Sequence, residues 1–131
     1  MDDLLYQLAL TLVPNIGHVH AAELLNHYGK AAYIFSAKKS ELARFPGIGA
    51  VRCNAIKQYN DFARVEEELR FIEKYHIKVL SIQEPDYPPK LKNCPDAPLL
   101  LFMKGNHEFL ENQRIVSIVG TRKNTDYGKQ V

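Results

Sequence analysis

FPGIGAVRCNAIK, residues 45–57, restates VPNIGHVHAAELL, residues 13–25, at a constant offset of 32. Pro46, Ile48 and Gly49 fall on Pro14, Ile16 and Gly17, while Val51 falls on Val19, Cys53 on Ala21 and Ile56 on Leu24. In each copy a proline-led turn closes on glycine, a small residue follows four positions on, and an apolar residue lies three beyond it. Glycine accepts the positive φ that a sharp turn between helices demands and that a Cβ resists. The small residue lets two helix backbones approach closely.

This spacing is the helix-hairpin-helix pattern, present twice. The exposed amides of such a turn can meet a phosphate, because helix N-termini favour anions. Cations are sparse beside the turns, with Arg52 and Lys57 after the second and only His18 and His20 after the first. Residues 1–70 carry eight acids and eight Lys/Arg. Gly17, Gly47, Gly49 and Arg52 are therefore candidates for a secondary DNA contact or for packing, and the neutral balance favours packing or partner binding.

The flanking sequence extends the helical reading. Residues 4–12, LLYQLALTL, carry apolar residues at helical positions and end before Pro14 and Gly17. AAELLNHYG (21–29) reads as a helix closed by Gly29, and AAYIFSA (31–37) as a short apolar segment. Ser40 is placed to cap a short helix running to Phe45. Residues 51–75 contain no breaker and predict one long helix or two in tandem. After His76 the texture changes. IKVLSI (77–82), LLLFM (99–103) and RIVSIVG (114–120) read as strands, and residues 84–98 hold five of the seven prolines and predict no regular element. The expected architecture is a mostly α helical domain over 1–72, then the first strands of an α/β domain over 73–131.

The composition, 46% hydrophobic and 24% charged, belongs to a folded chain. No apolar run reaches the roughly 20 residues that span a bilayer. The start, MDDLLYQLALTLVPNIG, lacks a basic leader segment and a small-residue cleavage site, so a cytoplasmic protein with no membrane partner is expected. Cys53 and Cys94 form no CxxC pair. The formal charge is only +2, and residues 71–131 carry seven acids against nine Lys/Arg. Binding to nucleic acid would have to use a local site.

Such a site is suggested by IVSIVGTRKNTDYG, residues 115–128. A strand ending in glycine and followed by a turn and a helix start is the βα unit of phosphate-binding sheets. Gly120 removes a side chain where an anion approaches the backbone. Arg122 offers a fork of donors suited to phosphate oxygens. Thr125 can cap a helix beginning at Asp126. The candidate DNA- and phosphate-binding residues are Gly120, Thr121, Arg122 and Lys123. Neither GxGxxG nor GxxxxGK[ST] is present, which argues against a dinucleotide cofactor and against ATP hydrolysis.

Val119, Gly120, Thr121, Arg122, Thr125, Tyr127 and Gly128 resemble the V-G-[ST]-R-x-x-[ST]-x-Y-G signature of the DNA-processing protein A (DprA/Smf) family. Tyr87, Pro88, Leu91, Asp96, Pro98, Leu101, Phe102 and Gly105 resemble a second family block. The paired hairpins resemble the SAM-like helical domain that precedes the family's Rossmann-like core. The resemblance implies a protein without established catalysis that binds single-stranded DNA during natural transformation, protects it and helps load the RecA recombinase. It implies a core that self-associates into a homodimer and that uses the arginine matching Arg122. On this reading the chain is the N-terminal part of a longer protein, because residues 77–131 hold only about three strands and a doubly wound sheet needs more.

Two other classes compete. One is a Rossmann-like enzyme acting on a nucleotide or a phosphorylated small molecule through the same turn. The other is a protein-interaction module alone. The helical hairpins favour DNA, and fold alone does not separate the classes. No metal is expected: His18 and His20 could meet Cys53 only in space, without a recognised ligand spacing. Glu66, Glu67 and Glu68 read as a solvated helix face. Tyr75 and Tyr87 could stack on bases, although core or capping roles are favoured for both.

Overall fold

The computed structural model describes residues 2–106, 116, 120, 122–123 and 125–130. Six helices come first: α1 (Asp2–Leu12), α2 (His18–Tyr28), α3 (Ala31–Ser36), α4 (Lys39–Arg44), α5 (Gly49–Gln58) and α6 (Phe62–Lys74). Then follow β1 (Lys78–Ser81), a one-turn helix α7 (Pro89–Lys92), β2 (Leu100–Met103) and a 3₁₀ turn at Tyr127–Lys129. The described part is mostly helical, with one two-stranded antiparallel sheet that pairs Lys78 with Met103 and Ser81 with Leu100. The strand expected at 114–120 lies outside the described residues apart from Val116 and Gly120.

The helices bury the side chains that their spacing sets on one face. Leu8, Ala9 and Leu10 of α1, Ala21, Leu24 and Leu25 of α2, Ile34 of α3 and Leu42 of α4 meet Cys53, Ile56 and Val65 in one core. Both small residues of the repeat, Ala21 and Cys53, are buried there, as the close approach of helices requires. Leu99 and Leu100 join the same core, so β2 packs on the helices as well as on β1. Gln83, just past β1, donates from Nε2 to the carbonyls of Leu25 (3.3 Å) and Gly29 (3.1 Å) at the end of α2.

Residues 51–75 resolve into two helices. Tyr59, Asn60 and Asp61 separate them; Asp61 Oδ1 accepts from the Arg64 amide at 3.4 Å and so caps α6. Tyr59 and Phe62 pack edge-on at 5.5 Å and join Tyr6 and Phe35 in an aromatic cluster between α1, α3 and α6. Capping at α4 differs from expectation. Lys38 occupies the cap position, with extended backbone and no side-chain acceptor, and Ser40 lies inside the helix. The acid of the first turn, Glu41, favours the positive end of that helix instead. For α3 the cap comes from far away in sequence: Asp3 Oδ1 accepts from the Ala32 amide at 3.0 Å.

The proline-rich segment is more ordered than its composition predicts. Pro89 opens the single turn of α7, where proline's fixed φ fits and its missing N–H costs nothing. Tyr87 is buried and its hydroxyl donates to the Pro98 carbonyl at 2.7 Å, closing the loop on itself. Burial pushes its phenol above the ordinary range. Tyr87 is therefore a core residue, whereas Tyr75 remains exposed.

Candidate nucleic-acid interface

The two repeated turns carry their positive φ at equivalent positions, though not at the glycines alone. Asn15 has φ 65° and Gly47, 32 residues later, has φ 78°. Gly49 is also left-handed at φ 59°, whereas Gly17 is ordinary extended backbone at φ −92°. The expectation of a left-handed Gly17 is thus corrected: Asn15 takes the turn's demanding conformation, which asparagine tolerates better than most residues.

Arg52 links the two turns. Its Nε donates to the Asn15 carbonyl and its Nη1 to the Gly47 carbonyl, both at 2.9 Å. His20, which occupies the place of Arg52 in the first copy, packs its ring against Gly47; a Cβ there would lie 3.1 Å from Nε2. Each copy therefore reaches across to the other's turn. The proline of each turn also borders the other copy's second helix, Pro14 beside Val51 and Asn54, Pro46 beside Glu23 and Asn26. Lys57, the other cation of the second copy, donates from Nζ to the Phe35 carbonyl at the end of α3, at 2.6 Å. Both cations after the second hairpin thus serve the packing of the helices.

Arg52→Ala removes two charge-assisted bonds that hold the turns together. A loss of about 1–2 kcal/mol is expected, with Arg52→Lys recovering part of it because an ammonium cannot fork to two carbonyls. Thermal unfolding followed by circular dichroism checks this, and an unchanged midpoint in Arg52→Ala would count against the clamp.

The second group of candidates sits in the turn after residue 119. Gly120, Arg122 and Lys123 are exposed, and among the described residues no atom of a non-neighbouring residue lies within 4 Å of where a Gly120 Cβ would stand. Thr121 lies outside the described residues. Thr125 Oγ1 accepts from the Gly128 amide at 3.2 Å, a side-chain cap of the kind expected of it. What it caps is one 3₁₀ turn, Tyr127–Lys129, in which Lys129 pairs with Asp126 at 3.2 Å. So short a turn adds little dipole, and the anion-attracting elements of this loop are the open backbone at Gly120 and the side chains of Arg122 and Lys123.

Among the described residues no three His, Cys, Asp or Glu side chains are placed to hold a metal ion. Cys53 is buried, with Sγ 3.4 Å from the Lys39 carbonyl, whereas His18 is exposed. No helix among the described residues is long and apolar enough to cross a membrane.

An α-rich module carrying a glycine-arginine-lysine turn is the class of protein that the described structure defines. Residues 78–131 match the family model described as DNA recombination-mediator protein A. The DNA processing protein DprA of Bacillus subtilis is 37% identical over 78 residues, covering 60% of this chain and 26% of that protein. Protein Smf of a Synechocystis species is 29% identical over 132 aligned residues, covering 95% of this chain and 32% of its own length. Over these stretches the chain is similar to proteins of the DprA/Smf family. It spans about a quarter to a third of the length of these curated relatives. No solved structure matches it.

Proposed function

We propose that the chain forms part of a single-stranded DNA-binding protein of natural transformation and recombination, which protects incoming DNA and helps load RecA. The turn at Gly120, Thr121, Arg122 and Lys123 holds the phosphate backbone. The observation that carries this reading is the exposed cationic turn beside an open glycine, within the segment that matches the family model. The name of the Bacillus subtilis relative, which refers to DNA processing, and the description of the family model, which refers to DNA recombination, support it. The protein acts in the cytoplasm by binding, without catalysis, and the complete protein is a homodimer.

The helical domain over 1–72 is a paired helix-hairpin-helix, SAM-like unit, and residues 73–131 begin a Rossmann-like domain. The family match beginning at Lys78, just past α6, supports that division. The hairpins serve packing in the first place, because Arg52 and Lys57 are committed to carbonyls of the module itself.

Phosphate contacts are indifferent to base identity and weaken with salt. In the full-length gene product, Arg122→Ala is expected to lower affinity for oligo-dT and oligo-dC alike. The slope of log affinity against log salt should flatten by about 0.7, one contact on a single strand. Fluorescence anisotropy at several salt concentrations measures both, and wild-type affinity with wild-type slope would remove the site.

A further inference from the structure

We propose that the end of α6 and the end of β2 form a second contact for single-stranded nucleic acid, a platform on which a base stacks. The rings of Phe71 and Tyr75 lie 4.4 Å apart, and both residues are about half exposed. Two ammonium groups stand over the Tyr75 ring, Lys74 Nζ at 5.3 Å and Lys104 Nζ at 5.4 Å from its centroid. Phe102, 55% exposed, pairs with Val79 near the end of β2, and Lys104 follows directly after the strand. Lys104 thus joins the end of β2 to Tyr75.

The backbone fixes this arrangement. α6 ends in a turn in which the Ile77 amide bonds the Ile72 carbonyl at 2.9 Å and His76 takes φ 50°, so Tyr75 is held beside the start of the sheet. Exposed apolar side chains grouped together, rather than scattered singly, mark an interaction surface. Two ammonium groups within reach of one ring are placed to meet a phosphate beside it. A ligand that offers flat rings and a regular row of anions satisfies both features, and single-stranded nucleic acid is that ligand. Glu67 and Glu68, exposed one turn before Phe71, direct a polyanion toward the Lys74–Lys104 side.

The inference rests on the reading that the chain handles single-stranded DNA, and the test separates the two. The 131-residue chain is titrated with fluorescein-labelled oligo-dT and with an abasic phosphodiester oligomer of equal length, at low salt. The wild type is expected to prefer the probe with bases. Tyr75→Ala and Phe71→Ala should each weaken oligo-dT binding by about fivefold or more and leave the abasic probe unaffected, with Tyr75→Phe close to wild type. Joint replacement of Lys74 and Lys104 by alanine should weaken both probes. Equal affinity of the wild type for the two probes, no binding, or an undiminished Tyr75→Ala protein overturns the platform. Equal weakening of both probes in Tyr75→Ala does so too, since it marks a packing or protein-docking face. Loss with Arg122→Ala but not with Tyr75→Ala leaves the turn standing and removes the platform alone.

Discussion

Gly47→Val is expected to lower the melting temperature by roughly 6–24 °C. Two costs combine at this position. A β-branched residue at φ 78° carries about 1–3 kcal/mol of backbone strain. Its Cβ would also stand 3.1 Å from His20 Nε2 and 3.2 Å from Cδ2, and relieving that contact costs a further 1–3 kcal/mol or so by comparison with overpacked cores. At about 3–4 °C per kcal/mol for a chain of this size, the sum gives the stated shift. Gly49→Val isolates the first cost, because φ there is 59° but no non-neighbouring atom among the described residues lies within 4 Å of the added Cβ. It should melt between the wild type and Gly47→Val. Equal melting of all three proteins, followed by circular dichroism, would refute the left-handed turns.

Leu99→Ala is expected to destabilise the helices as much as the sheet. Leu99 is fully buried and belongs to the core formed by α1, α2, α5 and α6. Truncation of such a leucine leaves a cavity and costs about 2–5 kcal/mol. Because one core serves both parts, the loss should appear as a single cooperative transition at lower urea, with the helical signal and the burial of Tyr87 lost together. A helical transition at the wild-type midpoint in Leu99→Ala would show that residues 1–72 hold their own core independently of β2.

What the sequence revealed and what it hid divide along contact distance. The two helical units were legible because their defining features, Pro-x-Ile-Gly followed by small and apolar positions, are local and repeated. The pattern marks both glycines equally and does not show that the chain turns two residues before Gly17, at Asn15. Arg52 was visible as a cation but not as a clamp, since its partner Asn15 lies 37 residues away. The cap of α3 by Asp3 spans 29 residues and leaves no local signal. At the candidate sites the same rule holds. Gly120, Arg122 and Lys123 stand together because they are near neighbours in sequence. The grouping of Lys104 with Tyr75 exists only because β2 returns beside β1 and carries Lys104 back to the end of α6. Proline count concealed α7, because proline disfavours a helix interior and yet suits its first turn.

The central claim is that DNA is held by the turn at Gly120–Lys123 while the hairpin cation Arg52 serves packing. It is tested most directly by titrating one fluorescent oligo-dT with Arg122→Ala and Arg52→Ala versions of the full-length gene product, both well below their melting temperatures. The account predicts weakened binding and a flatter salt slope for Arg122→Ala, and wild-type binding by an Arg52→Ala protein that melts early. Undiminished binding by Arg122→Ala together with loss in Arg52→Ala would contradict it.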